Sequence, residues 1–221
     1  MLARFAKWIF HAAFTLLTQL EVKNLENIPS IGPYILAPNH LSRADPPLLF
    51  IYFGGKNVTG WVAEKYRRNL FFGLLVRLGN PIFIRRGEVD RQAIDAAVKA
   101  LRSGKIFGLA PEGTRSRVGS LIRGKTGIAF LADAARVPIL PAAITGTDSL
   151  FRDLLRLRRP RITLTFGELF HLPPLDPEDR NAGLRKNTDE VMCRIAAMLP
   201  ESYWGVYADH PRLQELLMTN S

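Results

Sequence analysis

The 221-residue sequence holds four histidines, at positions 11, 40, 171 and 210. His40 has the most suggestive surroundings, Pro38-Asn39-His40-Leu41-Ser42-Arg43-Ala44-Asp45-Pro46-Pro47. The apolar run Tyr34–Ala37 before it reads as a strand, so His40 lies at a strand end, where open α/β sheets place their sites. Pro46 disfavours helical backbone at Asp45 and suits the first position of a helix. Asp45 is therefore a candidate N-cap, and residues 40–45 form the connecting loop. In a loop, an aspartate five residues on can fold back onto the imidazole; on a straight helix that offset would point the two apart. A carboxylate on one ring nitrogen fixes the tautomer and stabilises the imidazolium, which leaves the other nitrogen to take a proton from a hydroxyl. The spacing alone also allows a plain cap beside a hydrogen-bonded turn residue.

A second constellation, Ala110-Pro111-Glu112-Gly113-Thr114-Arg115-Ser116-Arg117, follows the strand-like run Ile106–Leu109. Such a turn exposes backbone amides. An arginine there can grip a phosphate through two parallel bonds, with Thr114 adding a donor. The other reading is a turn closed by an internal Glu112–Arg115 pair. A third element, Phe83-Ile84-Arg85-Arg86-Gly87, again puts arginine at a strand end; it is either a further anion grip or solvated charge. If the three strand ends share one rim, a base stands beside an anion clamp. No HExxH pattern or clustered second ligand suggests a metal.

Those residues need a scaffold. Strand-like runs are Tyr34–Ala37, Val58–Val62, Pro81–Ile84, Ile106–Leu109, Ile139–Ile144 and Ile162–Phe166, with helix-like runs at Asn69–Leu78, Asp90–Leu101, Gly127–Ala135 and Leu184–Leu199. Asp90 is a plausible N-cap and Gly104 a plausible stop. The alternation predicts a single α/β domain with a largely parallel or mixed sheet flanked by helices. Ile139–Ile144 is nearly all apolar, as a strand covered on both faces would be.

Hydrophobic residues make up 47% and charged residues 23%, which is globular usage rather than that of a disordered chain. One cysteine, Cys193, excludes an internal disulfide framework and reads as a small core residue. Thirty basic against twenty acidic residues give a net charge of +10, which calls for an anionic partner. No zinc-finger spacing, stacking motif or GxxG clamp points to nucleic acid. Residues 1–20, MLARFAKWIFHAAFTLLTQL, favour a membrane instead. The uncharged run from Trp8 to Leu20 is too short to span a bilayer and lacks a cleavage signature. On a helix, Arg4, Lys7, His11, Thr15 and Thr18 fall on one narrow stripe amid a wide apolar surface. That suits an amphipathic helix lying in the lipid interface, against the alternative of a helix docked on its own domain.

In motif order the chain resembles the glycerolipid acyltransferases. Their NHxxxxD block stands as Asn39-His40…Asp45 and their F-I-x-R block as Phe83-Ile84-Arg85-Arg86. Their PEGTRS block is Pro111–Ser116, and their VPIxP block is Val137-Pro138-Ile139-Leu140-Pro141. Together they cover about residues 39–141. The resemblance implies that His40 and Asp45 are catalytic, as base and partner. It implies that Arg85, Glu112, Gly113, Thr114 and Arg115 bind the glycerophosphate end. It implies an acyl thioester donor, acyl-CoA or acyl carrier protein, used without a cofactor, and a lysophospholipid acceptor, 1-acyl-glycerol-3-phosphate, giving phosphatidic acid. Another lysophospholipid or glycerol-3-phosphate as acceptor, a lipid thioesterase or hydrolase, and a non-catalytic lipid-binding protein stay open. The expected organisation is a membrane-associating helix over residues 1–20 and an acyltransferase domain over 21–221. It would sit peripherally on the anionic cytoplasmic face of the cell membrane.

Overall fold

A computed structural model describes residues 2–54, 57–64, 81–84 and 90–219. The expected helix Asn69–Leu78, and with it Arg85, Arg86 and Gly87, lies outside the described residues.

Among the described residues, seven strands form one sheet in the order β1-β7-β6-β2-β5-β3-β4. They are β1 Gln19–Lys23, β2 Tyr34–Pro38, β3 Val58–Ala63, β4 Ile82–Ile84, β5 Ile106–Gly108, β6 Ile139–Thr145 and β7 Arg161–Phe166. Every neighbouring pair is parallel except β6–β7. The sheet is mixed, as the alternation implies. The helices are α1 Leu2–Leu17, α2 Asp45–Phe53, α3 Arg91–Arg102, α4 Gly127–Ala135, α5 Leu150–Leu155, α6 Arg180–Ala197 and α7 Pro211–Thr219. Strand β6 is buried from Ile139 to Ile144, between β7 and β2. Its continuous apolar run is needed because both faces are covered.

Asp90 caps α3, its side chain accepting from the Ala93 amide at 3.0 Å, and Gly104 turns the chain away at φ 86°. Asp179 caps α6 in the same way, so that helix starts earlier than the periodicity suggests. One apolar cluster joins α3, α4, α6 and α7 to one face of the sheet, and Cys193 lies fully buried in it. A second joins α1, α2 and α5 to the other face.

Helix α1 stops at Leu17, and β1 begins inside the segment expected to be helical. The helix has three sectors. Ala6, Phe10 and Phe14 pack inward, with Phe10 edge-on to Phe50 at 5.9 Å between centroids. Leu2, Phe5, Trp8, Ile9 and Leu16 face outward. The polar stripe runs between these two faces. Thr18 departs from the stripe: it is buried, and its hydroxyl donates to the Phe14 carbonyl at 2.6 Å. Among the described residues, no helix is long and apolar enough to cross a membrane.

Candidate active site

The parallel strands β2, β5, β3 and β4 bring their carboxyl ends to one edge, where open sheets place their ligands. His40 follows β2 and the Pro111–Ser116 turn follows β5, the strand beside it. Asn39 locks the exit of β2. Its side-chain amide donates to the Ile144 carbonyl at 2.9 Å and accepts from the Ile144 amide at 2.7 Å. A side chain thus continues the pairing of β2 with β6 past the last backbone rung.

Residues 40–44 form a loop, and Asp45, at the start of α2, folds its side chain back onto it. His40 Nδ1 lies 2.7 Å from Asp45 Oδ2, and the Leu41 and Ser42 amides each donate to the same oxygen at 2.8 Å. The Thr147 hydroxyl donates to Oδ1 at 2.6 Å. Four donors therefore serve a carboxylate that is 2% exposed, which offsets much of the cost of burying it. A carboxylate only accepts, so Nδ1 carries the proton and Nε2 is left as the proton acceptor. The His40 side chain is 20% exposed and lines the cleft. Asp45 is not the N-cap. It is the first residue of α2, Ala44 precedes it, and its side chain serves the loop rather than the helix amides.

Glu112 differs from expectation as well. Its carboxylate does not line the cleft. Oε1 accepts the His40 amide at 2.9 Å and Oε2 the Ile122 amide at 3.1 Å, with the residue 1% exposed. It braces the backbone of the histidine against the following loop. Burial pushes the Glu112 carboxyl above its ordinary range, and the two amides only partly counter that.

Gly113, Thr114 and Arg115 do reach the cleft, and Arg43, Arg117 and Lys125 join them there. Gly113 adopts φ 68°, and a Cβ on it would come within 2.8 Å of the Lys125 side chain, so glycine lets lysine cross the turn. The Lys125 amide donates to the Pro111 carbonyl at 2.8 Å, which fixes that crossing. The cleft holds about 950 Å³. Its inner wall is apolar, with Phe50, Phe53, Trp61, Ile84, Ile94 and Leu109, and its rim is basic. That combination accepts a molecule with a long apolar part and an anionic end. Ile84, last residue of β4, reaches the wall; Arg85 beyond it lies outside the described residues. Among the described residues no group of His, Cys, Asp or Glu gathers to hold a metal ion.

Thr147, Arg43 and Lys125 were not singled out by sequence reasoning, and Asn39 was named only as part of its motif, with no role. Lys125 left a faint signal, a basic residue beside Gly124 soon after the turn. Thr147 left none.

A family profile described as acyltransferase matches residues 19–145, from the start of β1 to the end of β6. A 1-acyl-sn-glycerol-3-phosphate acyltransferase of Borreliella burgdorferi is 32% identical over 136 residues, covering 60% of this chain and 54% of that protein. The human 1-acyl-sn-glycerol-3-phosphate acyltransferase alpha is 28% identical over 177 residues, covering 77% and 59%. The chain spans about half the length of the first of these curated relatives. The crystal structure of a 1-acyl-sn-glycerophosphate (LPA) acyltransferase, PlsC, from Thermotoga maritima superposes with a TM-score of 0.65 at 28% identity, covering 86% of this chain and 76% of that one.

Proposed function

The chain belongs to the acyltransferase family, and from that premise we propose that it moves a fatty acyl group from a thioester to the free hydroxyl of 1-acyl-glycerol-3-phosphate, making phosphatidic acid. The observation that carries this is the His40–Asp45 pair at 2.7 Å, set where a basic rim meets an apolar cleft. Nε2 of His40 takes the proton of the acceptor hydroxyl. The oxygen attacks the thioester carbonyl carbon. The tetrahedral intermediate collapses as the C–S bond breaks, and the proton on Nε2 passes to the departing thiolate. An ester and a free thiol result, and the histidine is neutral again. Asp45 holds the ring and stabilises the transient imidazolium. No separate protein nucleophile is needed, because the acceptor brings its own.

Arg115, with Lys125 and the Gly113–Thr114 backbone, binds the acceptor phosphate; Arg85 is assigned to the same end by its motif. The acyl chain lies along the apolar wall. Donor thioesters of CoA and of acyl carrier protein both present the required bond. The outward face of α1 enters the interface of the anionic cytoplasmic leaflet, and Arg4 and Lys7 add attraction to it.

The test is a panel. Purified protein is offered lysophosphatidate, other lysophospholipids, glycerol-3-phosphate and monoacylglycerol, each with acyl-CoA and acyl carrier protein donors, and products are read by mass. Phosphatidic acid as the main product is expected. Free fatty acid released regardless of acceptor would make the protein a thioesterase, and no turnover with any pair would overturn the reading.

A further inference from the structure

We propose that α5 and the loop after it form a second lipid-contacting surface, which seats the mouth of the cleft against the headgroups of an anionic bilayer. The proposal rests on the reading of α1 as a helix that lies in a membrane interface.

Helix α5 is short and half-committed to the fold. Leu150 and Leu154 pack inward in the cluster that holds Phe14 and Phe10 of α1. Phe151, Leu155 and Leu157 point out, and the last two are 86% and 96% exposed. Leu157 adopts φ 55°, a left-handed backbone that leucine takes only at a cost, and that backbone leaves the side chain in solvent. Single exposed leucines are ordinary on protein surfaces. Here three large apolar side chains share one short segment, and residues 148–161 carry five arginines against Asp148 and Asp153. An apolar tip ringed by arginines matches the layer where lipid tails meet anionic headgroups.

Two contacts place this surface. On one side it abuts α1: Arg159 donates to the Thr15 and Thr18 carbonyls, each at 2.8 Å, beside the exposed Leu16 and Leu17. On the other side it reaches the mouth: Phe151 lines a shallow recess with Arg43, Arg115 and Asp148. Val118 stands exposed in the neighbouring loop, whose Gly119 faces Asp148. Helix α5 and the loop after it therefore link the C-terminal end of α1 to the recess that Leu41, Ser42 and Arg43 line beside His40. A lipid acceptor entering there would pass its headgroup across Arg43 and Arg115 without leaving the bilayer.

The test uses the full chain carrying Leu155→Asp and Leu157→Asp together, both at side chains that the core does not use. Flotation is measured with vesicles of equal parts phosphatidylglycerol and phosphatidylcholine. Affinity should fall by about tenfold or more. Turnover of acceptor embedded in those vesicles should fall in step, while turnover of a short-chain soluble acceptor holds. Vesicle affinity within about twofold of the unsubstituted chain would overturn the proposal. If the unsubstituted chain turns over neither acceptor, the acyl-transfer reading fails and flotation still decides this one. Phe5→Asp with Trp8→Asp tests α1 separately.

Leu155→Cys carrying a polarity-sensitive dye gives a second readout, since buried Cys193, its thiol pushed up to about 12, does not compete for label. A blue shift with the anionic vesicles is expected. A shift with acyl carrier protein alone, or one that grows with protein concentration in buffer, would assign the surface to a protein partner or a second copy and overturn the proposal.

Discussion

Thr147 donates its hydroxyl to Asp45 Oδ1 across 2.6 Å, from a turn 102 residues further along the chain. The turn is itself held: the Gly146 amide donates to the Tyr203 hydroxyl at 3.2 Å, and that hydroxyl donates to Asp148 at 3.3 Å. The catalytic aspartate proposed here is thus oriented from β6 as well as by its own loop.

Thr147→Val keeps the shape and removes the donor. A lost bond to a charged group is worth roughly 1.5–3 kcal/mol, so kcat should fall about 10- to 100-fold with little change in the Michaelis constant for the acceptor. Thr147→Ser should recover most of the rate. A serine variant as slow as the valine one would show that the methyl group's packing matters, not the hydroxyl.

His40→Ala should lower turnover at least ~10², the low end for a general base, and leave the circular dichroism spectrum unchanged. Asp45→Asn should also slow the enzyme and reduce its melting temperature. An amide can accept from only one side, whereas Asp45 accepts from both oxygens. Turnover of the alanine variant within about threefold of wild type would remove His40 from the mechanism.

Arg115→Ala should cost about 10- to 100-fold in kcat/KM with lysophosphatidate, from a charge-assisted contact of roughly 1.5–3 kcal/mol. A neutral acceptor such as monoacylglycerol should be far less affected. Equal losses on both acceptors would make Arg115 a structural residue.

Glu112 gives a prediction in pH. Burial holds its folded-state value above the ordinary 4.5, despite the His40 and Ile122 amides. The protonated form therefore folds better than the ionised one. Its contribution is fully present below about 4.5 and is lost as pH rises through the raised folded value. Glu112→Gln cannot titrate and turns an NH₂ toward one of two amide donors, which should cost about 1–3 kcal/mol. The melting-temperature gap between wild type and variant should narrow as pH rises from mildly acidic to neutral. A widening gap would mean that ionisation of Glu112 stabilises the fold.

What could be seen in the sequence, and what could not, divides along chain separation. The His40–Asp45 contact was legible because a loop of five residues after a strand end lets a carboxylate fold back; Pro46 marked the helix start, yet Asp45 stands inside the helix rather than before it. Strand β6 was legible because burial on both faces demands an unbroken apolar run. Thr147 was not, since one threonine looks like any other until β6 brings it beside the loop. The bracing contacts of Glu112 were not legible, because spacing places a carboxylate at a strand end without saying whether it faces solvent or backbone. Strand β1 was missed: its first two residues were taken into the expected helix over residues 1–20, and Gln-Leu-Glu-Val-Lys alternates for only five residues. Helix α5 has six residues and no side-chain cap to announce it.

The tie between Arg159 and Thr15 joins residues 144 positions apart. On a ribosome adding ~5–20 residues per second, α1 is made on the order of ten seconds before the arginine that closes its end. Strand β1, whose partner is β7, waits equally long for an edge to pair with. During that interval the inward face of α1 can meet α2, whose Phe50 follows Phe10 by forty residues, but β7 and the arginine that ties the helix end are still missing. If the outward face of α1 enters a bilayer as proposed, the helix is free to do so before β1 has an edge to pair with, and the sheet would then close on a helix already attached.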